Sequence, residues 1–252
     1  MSQNPFKNAL HAGQRQIGLW SNLAGNVSAE IIAHSGFDWI VLDMEHGPND
    51  LGEIVSQLQA MATGTAMPVV RPPWNDFVAI KRLLDAGART LLVPYVQNAQ
   101  EAEAAVAAIR YPPRGIRGVA GGARASNFGR AKGYLANAED TICLLLQVET
   151  AEALEQLEEI ASLDGVDGVF IGPADLAASM GHLGDMTAAP VQDAIRDAAQ
   201  RLAKIGKASG ILTAVEEDAR RYIEWGYVFV AVGSDGGLLA RHADALAARF
   251  KG

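Results

Sequence analysis

Eight short apolar runs alternate along this chain with eight longer segments of helical periodicity, and this alternation constrains the fold more than any other feature. The runs are Ile17–Trp20, Trp39–Asp43, Pro68–Arg71, Thr90–Val93, Ile142–Glu149, Gly168–Gly172, Ser209–Thr213 and Tyr227–Gly233. The helical segments are Ser28–His34, Leu51–Met61, Asp76–Ala86, Ala99–Arg110, Ala151–Ser162, Pro190–Ile205, Glu216–Trp225 and Gly237–Arg249. Several runs are apolar throughout, which is typical of parallel strands covered by helices. The pattern therefore favours a closed (β/α)8 TIM barrel of the α/β class over an open doubly wound sheet.

The length of the chain agrees with this fold. A chain of 252 residues is a typical length for one such barrel, and no interdomain linker interrupts it. We therefore expect residues 1–252 to form a single barrel domain. No Gly-x-Gly-x-x-Gly motif follows the first run, which argues against a dinucleotide-binding sheet.

Charge and hydropathy exclude several classes of function. The net charge is −8 and there is no long run of Lys or Arg, so the chain is a poor nucleic-acid binder. No apolar run approaches the roughly 20 residues of a membrane span, and residues 1–13 lack the apolar core of a signal peptide. The lone Cys143 lies in an apolar run and is predicted to be a core residue. We expect a soluble cytoplasmic protein with neither nucleic-acid nor membrane partners.

Polar residues collect where the predicted strands end. In a (β/α)8 barrel the chemistry lies at the carboxyl ends of the strands. The residues predicted there are Ser21, Asp43, Glu45, His46, Arg71, Gln147, Glu149, Asp175, Thr213, Ser234 and Asp235. A barrel that served only as a scaffold would have little reason to gather these side chains on one rim.

Two of these carboxylates indicate a metal site. Glu149 and Asp175 follow neighbouring strands, and two oxygen ligands with the other positions open suit Mg²⁺, Mn²⁺ or Co²⁺. Asp175 alone is as easily a helix cap or the partner of an arginine. None of the six lysines ends a predicted strand, so a Schiff-base aldolase is disfavoured. Carbon–carbon chemistry here would need a metal-stabilised enolate.

His46 is the histidine best placed for proton transfer. It follows a strand together with Asp43 and Glu45, whereas the other four histidines have no such neighbours. Asp85, on the helix after the third strand, is a candidate to orient the imidazole. Arg71 ends the third strand and could bind a keto or enolate oxygen, pair with a rim carboxylate, or do both.

The segment Gly172–Asp175 opens a helix after the sixth strand. The free N–H groups of Ala174 and Asp175 would attract a carboxylate or a phosphate, and Pro173 fits the first turn.

One connection, from Tyr111 to Thr141, is much longer than the others and carries Arg114, Arg117, Arg124 and Arg130. Connections of this length usually carry function or an interface. The arginines are solvated charge, a subunit contact, or a lid that draws in carboxylated substrates.

Six motifs in order give the chain a family resemblance. They are Gly-Leu-Trp-Ser at 18–21, Asp-Met-Glu-His-Gly-Pro at 43–48, Val-Arg-Pro-Pro at 70–73, Tyr-Pro-Pro-Arg-Gly-Ile-Arg-Gly at 111–118, Gln-Val-Glu-Thr at 147–150 and Gly-Pro-Ala-Asp-Leu at 172–176. The chain resembles the class II pyruvate aldolases of the phosphoenolpyruvate/pyruvate barrel superfamily. That group includes aldolases of 4-hydroxy-2-oxoheptanedioate, 2-dehydro-3-deoxyglucarate and 2-keto-3-deoxy-L-rhamnonate. The match extends from about Ile17 to Asp235.

The resemblance implies an assembly and a set of roles. It implies a homohexamer, a trimer of dimers, whose last helix is exchanged between subunits. The implied metal ligands are Glu149 and Asp175. The implied catalytic residues are Arg71, His46 and Asp85, the partner of His46. The implied substrate contacts are Trp20, Arg71, Gln147, Gly172, Ala174 and Asp175. Ala177 stands where the family often has Ser, and Ser234 is at a variable position, so the donor and acceptor preferences stay open.

The resemblance also implies the reaction. A 4-hydroxy-2-oxo acid would be cleaved reversibly to an aldehyde and pyruvate, or hydroxypyruvate, with His46 acting directly or through water. Decarboxylation of an oxaloacetate-like diacid forms the same enolate and is the alternative. A non-catalytic barrel is the least favoured interpretation, because it would not need the metal pair.

Overall fold

Eight parallel strands form one closed barrel in a computed structural model that describes residues 4–251. The strands are β1 (Gln16–Ser21), β2 (Trp39–Asp43), β3 (Met67–Arg71), β4 (Thr90–Val93), β5 (Cys143–Val148), β6 (Gly168–Ile171), β7 (Ala208–Leu212) and β8 (Phe229–Ser234). Each strand pairs with the next, and β8 pairs with β1. The predicted (β/α)8 barrel is confirmed, because every predicted apolar run overlaps one of the eight strands.

Helices surround the barrel and outnumber the eight that we predicted. They are α1 (Pro5–His11), α2 (Asn26–Ala33), α3 (Leu51–Ala60), α4 (Phe77–Asp85), α5 (Ala99–Ile109), α6 (Tyr134–Thr141), α7 (Ala151–Glu155), α8 (Leu157–Ser162), α9 (Pro173–Ser179), α10 (Ala189–Lys204), α11 (Glu216–Glu224) and α12 (Asp235–Lys251). The predicted helix over 151–162 divides at Gln156 into α7 and α8. α1 and α6, of seven and eight residues, were not predicted, because helices this short give only a weak periodic signal.

The short helix α1 fills the amino-terminal end of the barrel. The Phe6 ring lies 5.7 Å from the Trp39 ring and 6.1 Å from the Phe229 ring, centre to centre. Asn4 caps the helix, and its side-chain amide donates to Thr90 Oγ1 at 3.0 Å. With this end filled, substrates have to enter at the carboxyl ends of the strands.

Aromatic side chains occupy much of the barrel interior. A Cβ atom at position 18 would collide with the Trp39 ring, so the glycine there makes room for the indole. Cys143 also faces this interior and is fully buried, which confirms the prediction of a core cysteine. A second apolar layer, between the strands and the helices, holds the helices against the barrel.

The long connection before β5 is partly helical. Its second half contains α6, and a short 3₁₀ helix spans Arg124–Ser126, two elements that were not predicted. None of the helices within residues 4–251 is long and apolar enough to cross a membrane.

Candidate active site

The carboxyl ends of the strands surround a pocket of about 470 Å³. Ten residues expected from the sequence line it: Trp20, His46, Arg71, Gln147, Glu149, Gly172, Ala174, Asp175, Thr213 and Ser234. Asp43 and Glu45 contact Arg71 next to the pocket. Ser21 and Asp235, also expected on this rim, do not line the pocket but bond to each other, with Ser21 Oγ donating to Asp235 Oδ2 at 2.9 Å. Asp85 is placed elsewhere.

Arg71 is held in a two-bond ion pair with Asp43, its register partner on the neighbouring strand. Its Nε donates to Asp43 Oδ1 at 2.8 Å and its Nη2 donates to Oδ2 at 2.7 Å. The guanidinium also lies 2.6 Å from Glu45 Oε2 and 5.1 Å from the centre of the Trp20 ring. The predicted pairing with rim carboxylates is therefore confirmed. Because Arg71 also lines the pocket, it can still bind an oxygen of a substrate.

Asp43 fixes the neighbours of Arg71 as well. Burial raises the pKa of the Asp43 carboxyl, but the hydrogen bonds and charge of Arg71 outweigh burial, so the pKa lies below its usual value. The ionised carboxylate accepts from Trp20 Nε1 at 3.2 Å and from the backbone N–H groups of Glu45 at 3.0 Å and His46 at 3.4 Å. One buried carboxylate thus orients the arginine, the indole and the turn that carries the histidine.

The imidazole of His46 lies at the mouth of the pocket. Its side chain is 69% exposed, and its Nε2 is 3.9 Å from Glu45 Oε2. Burial raises the pKa of Glu45, while the positive charge of Arg71 partly offsets that effect. An accessible imidazole beside a carboxylate is suited to accept a proton from a bound substrate.

The predicted pairing of His46 with Asp85 does not form within the chain. Asp85 is the last residue of α4, and a helix that follows a barrel strand runs back toward the amino-terminal end. There its Oδ1 accepts from Nη2 of the fully buried Arg117 at 3.0 Å. The prediction relied on the order of elements along the chain and did not consider the direction of the helix.

Glu149 lies just past the end of β5 and is 1% exposed. Its Oε1 accepts from the backbone N–H of Tyr95 at 3.0 Å, and its Oε2 accepts from Gln147 Nε2 at 2.5 Å. A Cβ atom at position 172 would collide with Glu149 Oε2, so Gly172 is needed where the end of β6 passes this carboxylate.

The charges around Glu149 are consistent with a cation site. Burial, together with the charges of Asp175 and Glu45, raises the pKa of Glu149 to about 7, although the hydrogen bond from Gln147 and the charge of Arg71 oppose this. Asp43 and Glu45 share Arg71, whereas in residues 4–251 neither Glu149 nor Asp175 forms an ion pair with a basic side chain.

The donor set fits a hard divalent ion bound mainly by substrate and water. Within residues 4–251, no three His, Cys, Asp or Glu side chains lie close enough together to form a complete metal site. Glu149 and Asp175 would supply two carboxylates and leave the other positions open. Mg²⁺ and similar ions accept that arrangement, because they commonly keep water and substrate oxygens as ligands.

The start of α9 forms the wall beside Asp175. Gly172 is its N-cap residue and makes no side-chain cap, and Pro173 occupies the first turn as predicted. The N–H groups of Ala174 and Asp175 are in that turn, where a helix has no internal acceptor for them. They can therefore donate to an anionic group in the pocket.

Hydroxyl and apolar residues complete the pocket. Thr213 Oγ1 accepts from the Val215 N–H at 3.2 Å, and Ser234 Oγ accepts from the Gly237 N–H at 3.2 Å. Nine further lining residues were not predicted from the sequence: Phe170, Met186, Thr187, Leu212, Ala214, Val215, Asp218, Tyr222 and Gly233. Their positions beyond β6, β7 and β8 were the signal that could have found several of them.

The four arginines of the long connection do not line this pocket. Arg114 pairs with Glu139 at 2.9 Å, and Arg124 donates to the Ala86 carbonyl at 2.9 Å, both toward the amino-terminal end of the barrel. The lid interpretation is therefore wrong for the pocket of the same chain. For the fully buried Arg117, which pairs with Asp85, the interpretation as solvated charge is also wrong. For the other three arginines, solvated charge and a subunit contact both stay predictions.

Comparisons with known proteins place this geometry in a family context. The family model described as HpcH/HpaI aldolase/citrate lyase matches residues 16–242. The chain is 58% identical to a 4-hydroxy-2-oxo-heptane-1,7-dioate aldolase of Klebsiella pneumoniae, over 98% of this chain and 94% of that protein. It is 57% identical to a protein of the same name from Salmonella arizonae, over 98% and 95%.

A solved structure is similar over almost its whole length. The crystal structure of an HpcH/HpaI aldolase/citrate lyase family protein from Burkholderia cenocepacia superposes with a TM-score of 0.96 at 39% identity. The match covers 99% of this chain and 100% of that one. Fold and sequence therefore agree on the same group of proteins.

Proposed function

Since the chain belongs to the HpcH/HpaI aldolase/citrate lyase family, we propose that it is a single-domain, metal-dependent aldolase that reversibly cleaves 4-hydroxy-2-oxo acids to pyruvate and an aldehyde. The observation that carries this proposal is the pair Glu149 and Asp175, two carboxylates with no basic partner among the described residues, in the same pocket as Arg71. The names of the relatives that match over nearly the full length support the same class of reaction.

In this proposal Glu149 and Asp175 hold a divalent ion, for which Mg²⁺, Mn²⁺ and Co²⁺ are all suitable. When bound, the ion acts as a Lewis acid that stabilises negative charge on the oxygens of the 2-oxo acid. Gln147 orients Glu149 through its hydrogen bond to Oε2. In metal sites, a carboxylate ligand is commonly oriented by a hydrogen bond from a residue that does not itself bind the metal.

Two groups bind and orient the donor half of the substrate. The N–H groups of Ala174 and Asp175 receive its carboxylate at the start of α9, where the helix dipole favours a negative charge. The Arg71 guanidinium, held rigidly by Asp43, binds the 2-oxo oxygen. Trp20 and Phe170, whose rings lie 5.4 Å apart, form an apolar wall that limits access of water.

Cleavage begins with proton transfer to His46. The imidazole accepts the proton of the 4-hydroxyl group, the C4–O bond becomes a carbonyl, and the electron pair of the C3–C4 bond passes to the pyruvate half as an enolate. Arg71 faces the oxygen on which the negative charge develops and stabilises it. Return of a proton to C3 gives pyruvate, and the aldehyde leaves from the outer part of the pocket.

We also propose that the enzyme is a homohexamer in which α12 packs on another subunit. Leu239, Leu246 and Phe250 of this helix are 62%, 50% and 84% exposed in the isolated chain. Apolar residues in such a row commonly mark a protein interface. Size-exclusion chromatography with light scattering tests this assignment, and a monomer at micromolar concentration would contradict it.

The test of the activity is a screen of 4-hydroxy-2-oxo acids with separate detection of pyruvate and aldehyde, each with and without a chelator. We expect equal amounts of the two products and loss of turnover on chelation. Oxaloacetate is assayed alongside, because its decarboxylation forms the same enolate. Turnover of oxaloacetate with no aldol substrate cleaved would favour the decarboxylase alternative.

A further inference from the structure

Tyr95, two residues beyond β4, has a backbone conformation that aromatic residues rarely adopt. Its φ is 55°, in the left-handed region. A non-glycine residue stays in that region only where its surroundings enforce it, and such residues concentrate at functional sites. The question is therefore what the conformation of Tyr95 achieves and what holds it.

The conformation directs the N–H of Tyr95 at Glu149. This N–H donates to Glu149 Oε1 at 3.0 Å, while Gln147 Nε2 donates to the other oxygen. Both oxygens of the buried carboxylate are thus held by donors, one from a side chain of its own strand and one from the backbone after β4. Without Tyr95 in this conformation, one of the two restraints on Glu149 would be lost.

Contacts on both sides hold Tyr95 in place. Its ring stacks on Trp74, which follows β3, with 5.7 Å between ring centres and 30° between planes. The next residue, Val96, is fully buried and its N–H donates to the Gln147 carbonyl at 2.9 Å. Gln97 then accepts from Thr150 Oγ1 at 2.7 Å through Oε1. The segment after β4 is fastened to the end of β5 at three successive residues.

The stack is the only one of these restraints that reaches another loop and lies in solvent. Trp74 is 54% exposed and Tyr95 is 38% exposed, so burial alone does not explain the pairing. Stacked aromatic rings are worth more than the area that they bury. The stack can therefore favour the left-handed conformation without forming part of the core.

We propose that the Trp74–Tyr95 stack is a positioning device that fixes the carboxylate of Glu149 for divalent metal binding. Neither side chain touches substrate or metal in this account, and both act through the N–H of Tyr95. The inference rests on the proposed function, because Glu149 is a metal ligand only there. Removing a partner that orients a metal ligand typically weakens metal affinity by about 10–100-fold.

The test measures Mn²⁺ affinity of chelator-treated protein by electron paramagnetic resonance of the free ion, without any substrate. We expect Trp74→Ala and Tyr95→Gly to weaken binding by about tenfold, because the N–H remains but is no longer held. Tyr95→Phe keeps the ring and should stay within about twofold of the wild type. Phe128→Gly is the matched control, since Phe128 is also an exposed aromatic residue with a φ of 57° but lies away from the pocket.

Glu149→Gln separates this inference from the proposed function. If Glu149→Gln binds Mn²⁺ as tightly as the wild type, or if the wild type binds none, the metal assignment fails and the inference fails with it. If Glu149→Gln loses Mn²⁺ while Trp74→Ala and Tyr95→Gly keep wild-type affinity, the inference is overturned and the proposed function stands. An equal loss in Tyr95→Phe or Phe128→Gly would also overturn it. Trp74→Ala does not alter the sequence of the segment after β4. If Tyr95→Gly does not fold, Trp74→Ala alone tests the inference.

Discussion

Removing the charge of Glu149 should change how the stability of the metal-free protein depends on pH. Burial raises the pKa of this carboxyl from 4.5 to about 7 in the folded protein. Between these two values the folded state binds more protons than the unfolded state, so the free energy of unfolding falls as pH rises. At about 1.4 kcal/mol per pH unit, the free energy of unfolding falls by about 3 kcal/mol over this range.

The variant Glu149→Gln removes this slope. Glutamine keeps the shape of the side chain but has one acceptor where the Tyr95 N–H and Gln147 Nε2 need two, which costs about 1 kcal/mol at every pH. The free energy of unfolding of the variant, relative to that of the wild type, should therefore rise by about 2.5 kcal/mol between pH 5 and pH 8. The sign follows from the raised pKa, because only the wild type has to bury an ionised carboxylate at pH 8.

Urea unfolding with a chelator present, at pH 5, 6, 7 and 8, measures this difference. Glu152→Gln changes an exposed glutamate of α7 and controls for the loss of one carboxylate. Saturating Mg²⁺ should stabilise the wild type at pH 8 and not Glu149→Gln, because ligand binding to the folded state alone adds stability. The quantity to follow is the difference in free energy of unfolding between Glu149→Gln and the wild type. If this difference changes by less than about 1 kcal/mol between pH 5 and pH 8, the reasoning is refuted.

Substitutions at four further positions give distinct outcomes. Arg71→Ala should lower kcat by about 10²–10³-fold in steady-state assays. Arg71→Lys should restore little of the lost kcat, because lysine cannot form both hydrogen bonds to Asp43. Wild-type turnover in either variant would contradict this. His46→Ala should lower kcat for aldol cleavage by about 10²–10⁴-fold. It should spare oxaloacetate decarboxylation, because that reaction removes no hydroxyl proton. Equal losses of the two activities would argue against His46 as the base. Gly172→Ala should weaken Mn²⁺ binding at least about tenfold in a titration, since its Cβ would collide with Glu149 Oε2; unchanged affinity would move the metal elsewhere. Asp85→Ala should cost about 3 kcal/mol in urea unfolding, because it leaves the buried charge of Arg117 without its partner, and a cost under about 1 kcal/mol would show that the pair is not needed.

The strand pattern predicted the fold and most of the site because both follow from local rules. An apolar run of four to eight residues identifies a strand, and the carboxyl ends of barrel strands converge, so Arg71, Glu149 and Asp175 could be brought together from their positions alone. The same rules fail over longer distances. Asp85 lies near the other residues along the chain, but α4 carries it to the opposite end of the barrel.

Other parts of the site leave little trace in the sequence. Phe170 and Leu212 belong to strands that are largely buried on both faces, so the sequence pattern does not tell which side chains point into the barrel. Met186 and Thr187 reach the pocket from the connection between α9 and α10, which has no periodicity. The left-handed φ of Tyr95 is also invisible in the sequence, because tyrosine is not a residue that this conformation selects.

The most direct test of the account is metal-dependent cleavage of a 4-hydroxy-2-oxo acid by the wild type and by Glu149→Gln. Both proteins are stripped with a chelator and then titrated with Mg²⁺, Mn²⁺ or Co²⁺ while pyruvate release is followed with a coupled assay. The account predicts that the stripped wild type is inactive, that metal restores it, and that Glu149→Gln stays at least about a hundredfold slower at every metal concentration. Full turnover by the stripped wild type, or restored turnover in Glu149→Gln, would contradict it.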